Sequence, residues 1–361
     1  LASLGFDFET LPEFFANSIP PEGTVEETFN DAEPKVDFEG DISVADHFGI
    51  ADGLHAEIDA DVQGPLADLV GTAADFFVED DLEADDSNVS IIVHGGDMGD
   101  IYAGDDIKAV GANILIQAEG NIGEIVADDD IQTENDDRIR INAVTGNLGG
   151  LAAAHGGYIT TPDQGSNSGL IQLWASGSIG ESDWNEDGVA DANEDLNGDG
   201  YIMPAFSVAE GGINEQRPLD EQTQVDPGTN EMILQIQSTA GDIGDIIAEE
   251  DIEGAGLTID ALAGNVGKIH SRVGDIKDLS LNVGGSLLGL IAEDGAITGS
   301  DAQIHVGDNV GQILASHGID VDVLAERGSV GLSAEITLAD GSRVTIPGGN
   351  VYTDTGDIKG S

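Results

Sequence analysis

The chain has no cysteine, so no disulfide framework holds it together and its redox compartment cannot be read from its residues. Cations are nearly as scarce. Eleven Lys and Arg stand against 71 Asp and Glu in 361 residues, a formal charge of −60. Nucleic acid, anionic membranes and acidic polymers all need cationic contacts, so they are excluded as expected partners. No apolar run approaches the length that crosses a bilayer, so no membrane insertion is expected. The opening "LASLGFDFET" lacks the basic and apolar regions of a secretory leader; if the protein is secreted, that leader was removed or lies outside this sequence. Aromatics are only 4%, and nine of the ten Phe precede residue 78. That shift marks residues 1–88 as a distinct N-terminal unit. Proline is absent from every short apolar phrase described next, as central strands require.

What is present is repetition. "GNIGEIVADDDI" from Gly120 returns as "GDIGDIIAEEDI" from Gly241. Related phrases begin at Gly96, Gly146, Gly177, Gly264, Gly285, Gly307 and Gly328, spaced by roughly 21 to 31 residues outside one gap. Between them lie alternating segments such as "NILIQA", "RIRINA", "ILQIQS" and "LTIDA". Period-2 alternation predicts strands, and helical periodicity is absent. Strands this short bury a face only by stacking on equivalents in the next coil. The expected fold is all-β: a right-handed parallel β-helix over 89–346, with three short strands and about 22–25 residues per coil. The glycine opening each phrase predicts a corner with positive φ. The Asp, Asn or Ser after it is expected to bond backbone at that corner.

Acids recur at comparable places: Asp105–Asp106, Asp128–Asp130, Glu249–Asp251 and Glu293–Asp294. Three readings stand open: solvated turns suited to saline surroundings, a ladder holding divalent cations, or catalytic carboxylates.

One motif is sharper. In "DWNEDGVADANE", Asp183, Asn185, Asp187, the carbonyl of Val189, Asp191 and Glu194 fall at positions 1, 3, 5, 7, 9 and 12 of a calcium loop, with Gly188 at the turn. A second loop follows with Asp195, Asn197, Asp199 and the carbonyl of Tyr201, but its twelfth position is Phe206. The tandem resembles the calcium loops of thrombospondin type 3 repeats and dockerins, and the resemblance implies Ca2+ as a bound ion. It lies within an expected insertion at 181–232.

Residues 26–81 carry "EETFNDAEP", "DHFGIADGLHAEIDAD" and "ADFFVEDD". They resemble the bacterial pre-peptidase C-terminal domain, which implies a small β-sandwich; the alternative is a cap on the first coil. At the other end, "AEITLADGSRVTIPGG" reads as a hairpin with an Asp-Gly turn inside a C-terminal cap, 335–361. The repeats themselves resemble those of secreted bacterial and archaeal β-solenoid surface proteins.

These features lead to an extracellular, non-enzymatic, calcium-stabilised structural rod of a surface layer, filament or adhesin. Its expected partners are copies of itself, or other surface proteins and glycans. The alternatives are a β-helix polysaccharide lyase or glycoside hydrolase, or a carbohydrate-binding module. Against an enzyme, no zinc "HExxH", phosphate loop or nucleophile elbow is found. The close basic pairs Arg138/Arg140 and Lys268/Arg272 show no acidic constellation in sequence.

Overall fold

The computed structural model describes residues 56–58, 64–70, 76–78, 81–85, 88–133, 137–154, 159–160, 169–184, 202–209, 213, 233–253, 257–299, 303–349, 351–353 and 358–359. All regular structure among them is β, wound as a solenoid of stacked parallel sheets. A front sheet has 11 strands and a side sheet has 10. The third side of the coils is closed by a 4-stranded and a 5-stranded sheet.

Inward positions form continuous columns. In the front sheet, Ile101, Ile125, Leu151, Phe206, Ile246, Ile269, Leu290 and Ile313 pair rung to rung in register. In the side sheet, Ile91, Ile116, Ile141, Leu173, Ile236 and Ile259 do the same. All of these are buried. Burying each such side chain contributes roughly 1.5–3 kcal/mol, so the interior is a single apolar column along the rod.

The opening glycines serve a different end from the one their sequence position suggests. None from Gly96 to Gly285 is among the residues with positive φ. They are needed because the neighbouring coil passes too close for a side chain. A Cβ on Gly146 would lie 2.5 Å from Asn121 Oδ1, and one on Gly285 would lie 2.6 Å from Asn265 Oδ1. The following Asp, Asn or Ser likewise reaches past its own corner. Each accepts a hydrogen bond from the backbone N–H of its equivalent one coil later. The series runs Asp97 to Asn121 N (2.7 Å), Asn121 to Asn147 N (2.8 Å) and Asn147 to Ser178 N (2.8 Å). It continues Ser178 to Asp242 N (3.1 Å), Asp242 to Asn265 N (2.7 Å) and Asn265 to Ser286 N (2.9 Å). It closes with Ser286 to Asn309 N and Asn309 to Ser329 N, both 3.1 Å.

Three boundaries differ from the sequence expectation. Winding begins before residue 89: Gly64–Val70 pairs in parallel with Val89–His94, Phe76–Val78 with Ile101–Ala103, and Leu82–Asp85 with Ile107–Val110. The described part of the expected sandwich therefore belongs to the solenoid, and what precedes Ala56 lies outside the described residues. The gap 181–232 is not a single excursion. Ile179 bridges into the front sheet, Phe206–Val208 resumes the ladder there, and Ile213 bridges to Ile252. Residues 185–201, between Trp184 and Ile202, and residues 214–232, between Ile213 and Ile233–Ser238, lie outside the described residues. Finally, the hairpin of Ala334–Thr337 and Arg343–Ile346 does not sit on the end of the rod. It folds back along its side. Ile336, Leu338, Val344 and Ile346 cluster with Leu288 and Trp184. Asn265 Nδ2 donates to Thr337 O (2.9 Å), and Ala339 N donates to Asp242 Oδ2 (2.6 Å).

Candidate functional site

The expected calcium loop springs from a defined neck. Gly180 adopts φ +58°, and a Cβ there would overlap the backbone of Ala205. Outgoing and returning strands are then tied together. Glu181 N donates to Met203 O (2.6 Å), and Met203 N donates to Glu181 Oε2 (3.1 Å). Ser182 Oγ donates to Asp245 Oδ1 at 2.6 Å. Asp183, first position of the motif, is buried directly beyond this neck, and Trp184 is buried in the hairpin cluster. Asn185, Asp187, Val189, Asp191, Glu194, Asp195, Asn197, Asp199 and Tyr201 lie outside the described residues. Phe206, at the twelfth position of the second loop, is fully buried in the front sheet. It supplies no ligand, so the twelfth position of the second loop offers no carboxylate.

Around the neck, the outward face of the front sheet holds ionisable groups that composition did not reveal. Glu181, Asp183, Asp242, Asp245, Lys268 and His270 are all buried. Asp242 Oδ1 accepts from both nitrogens of Asn265 while Oδ2 accepts from Ala339. Burial nonetheless pushes the Asp242 carboxyl above the usual carboxylate range, these donors offsetting only part of it. Burial does the same to Asp245, opposed by the ammonium of Lys268 and by the Ser182 hydroxyl. Burial lowers the basicity of His270, partly restored by Glu293. His270 Nε2 lies 3.0 Å from Glu293 Oε1, yet off the hydrogen-bonding direction. Beside the neck, a cavity of about 290 Å³ is bounded by Glu181, Trp184, Asp242 and the hairpin tip at Leu338–Asp340. Chemically, this region clasps the insertion and the hairpin to the rod.

The acidic runs resolve into two roles. Four acids form a second ladder. Asp81 Oδ1 accepts from Asp106 N, Asp106 Oδ1 from Asp130 N, Asp251 Oδ1 from Asp275 N and Asp275 Oδ1 from Ala296 N, at 2.6–3.0 Å. Lysines thread this second ladder. Lys108 Nζ lies 2.9 Å from Asp81 and 2.6 Å from Asp106, and Lys277 contacts Asp251, Glu253 and Asp275. Burial alone would lower their pKa, but these carboxylates hold both ammonium groups above the ordinary lysine value. In two runs the earlier acids are more exposed: Asp128 and Asp129 are half-buried and Asp105 is exposed, whereas Asp130 and Asp106 are buried. Asp81, Asp105 and Asp106 bring carboxylate oxygens within 4.8 Å of one another. Lys108 Nζ contacts two of these three acids, Asp81 and Asp106.

No helix among the described residues is long and apolar enough to cross a membrane. Compared with family models, curated proteins and solved structures, the chain matches none of them. What the molecule itself establishes is its architecture: a parallel β-solenoid repeat protein.

Proposed function

We propose that this protein is a non-enzymatic, extracellular structural rod, a calcium-stabilised element of a surface layer, filament or adhesin that assembles with copies of itself. The observation that carries this reading is the uninterrupted side-chain ladder from Asp97 to Ser329. The recurring polar residues are engaged coil to coil in holding the rod, and Asp106 and Asp251 act alike. Such use of polar residues favours mechanical continuity over chemistry. Calcium enters through the loop beginning at Asp183, whose residue types and spacing suit a hard cation. The buried, hydrogen-bonded neck at Glu181 and Met203 gives that loop a rigid base from which an ordered excursion can be transmitted to the rod. A charge of −60 suits an acidic surface that stays soluble where counter-ions are abundant.

Electron microscopy of the purified chain with calcium, then with excess EGTA, tests this. Ordered fibres or sheets that come apart in EGTA are the expected result. Monodisperse single rods in both conditions, or release of reducing ends from polysaccharides, would overturn it.

A further inference from the structure

The side sheet carries a feature that a structural rod does not require. Its outward face holds a groove of about 550 Å³, within the range of small-molecule sites. Ile92 and Leu115 supply apolar surface, Asn88 and Asn113 supply amides, and Arg138 and Arg140 form one wall. The register fixes this arrangement. Arg140 stands beside Leu115 on the next rung, and Ser90 follows on the one after. Arg138 and Arg140 are two residues apart on one strand, so they emerge on the same face about 6.6 Å apart.

The arginines are unlike the other cations whose side chains are described. Lys108, Arg272, Lys277, Arg327 and Arg343 each contact a carboxylate, and Lys268 lies beside Asp245. Arg138 and Arg140 form no ion pair among the described residues. The preceding Asp137 is turned elsewhere, accepting from Gly111 N at 2.7 Å. Arg140 Nε is buried and has no hydrogen-bond partner, although 71 acids were available to supply one. A buried guanidinium donor left unsatisfied is costly and points to a group that arrives from outside.

We propose that this groove binds a small aliphatic dicarboxylate. The guanidinium forks take the two carboxylates, and Leu115, on the rung beside Arg140, packs against the carbon chain. Carboxylates about 6–7 Å apart match the spacing of the arginines along the strand. The overall charge does not forbid this. At about 0.15 M salt the Debye length is about 8 Å, so a small anion feels the two local cations more than the distant acids. A long polyanion would meet the whole field and remains excluded.

The test is calorimetric titration of the full chain at that salt with adipate, and with adipamide, which keeps the skeleton without the charges. Adipate should bind saturably and adipamide should not. Arg140→Gln should weaken adipate by about tenfold or more, and Arg138→Gln should do likewise. Arg140→Lys keeps the charge and loses the fork, so it should also weaken binding; it serves if the Gln variant misfolds by circular dichroism. Equal heats for adipate and adipamide, or adipate affinity unchanged by both Arg140 variants, would overturn the proposal. So would acetate binding as tightly as adipate. Absence of any binding would mean that the groove is filled by the chain itself and would overturn it equally.

Discussion

The front and side sheets are laid down by the same coils, yet they differ in their outward faces. Side-sheet strands alternate buried and half-buried, as in Ile114–Ala118, or buried and exposed, as in Ser280–Val283. Front-sheet strands in the middle of the stack are buried on both faces: every residue of Val266–Ser271 is buried, as is every residue of Ile246–Ala248, whereas Tyr102 is half-buried and Tyr352 exposed nearer the two ends. Outward positions there hold Val126, Ala152, Ile247 and Leu288, and also Glu124, Lys268 and His270. The lesson is that a solenoid can have one face meeting solvent and another that behaves as a second core. The insertion neck and the folded-back hairpin both attach to the second kind of face.

The largest test of this contrast compares outward residues of the two sheets. Ile247→Ala should cost about 2–4 kcal/mol, as a buried isoleucine does, whereas Gln172→Ala on the side sheet should change stability by less than about 0.5 kcal/mol. Urea unfolding monitored by circular dichroism checks both, and equal small effects would show that the front sheet is open in solution. A smaller effect is expected at Asp242, which joins the ladder to the hairpin. Asp242→Asn replaces one acceptor oxygen with a donor and should cost about 1–3 kcal/mol, with faster hydrogen exchange at Ala339. The same variant reports on pH. Because burial raises the folded pKa of Asp242 above its unfolded value, the native state binds the extra proton between those two values. Its contribution to stability therefore falls as pH rises through that window. The melting temperature of wild type should drop more steeply there than that of Asp242→Asn, and parallel slopes would refute the assignment. The smallest effect belongs to the exposed pair Arg343–Glu335 on the hairpin, 3.0 Å apart. Glu335→Gln should cost less than about 0.5 kcal/mol and lose even that in high salt, as a salt titration of melting temperature would reveal.

The same contrast explains what could be read beforehand. The side sheet announces itself: "RIRINA" and "ILQIQS" alternate because one face meets water. The front sheet shows runs such as "IIA" at 246–248, whose alternation is erased by burial on both sides. It was legible only through the recurrence of its opening phrase. The early coils lack that phrase and carry Phe76 and Phe77, so they looked like a separate unit until pairing with Ile101 and Tyr102 placed them in the stack. The polar residue after each glycine was recognisable as a bonding group. Its target was not, because residues such as Asn121 and Asn147 become neighbours only once the coils are in register. The acid runs are ambiguous in sequence for a related reason. Composition cannot tell Asp130, buried and donating its backbone N–H to Asp106, from the half-buried Asp128 nearby. The docking of Thr337 on Asn265 carries no sequence period at all. Of the calcium motif, Asp183 alone is described, and its burial next to the neck was not foreseeable from loop spacing.

The corner ladder also gives the rod an arrow. From Asp97 to Asn309 every side chain takes its hydrogen bond from the coil that follows it, and none from the coil before. The column thus points one way, its side-chain acceptors turned toward the later coil and its backbone donors toward the earlier one. Its two directions are unlike, as the poles of a magnet are unlike. Molecules joining end to end through this column would do so tail to head, and a tail-to-head contact that does not close on itself has no natural stopping point.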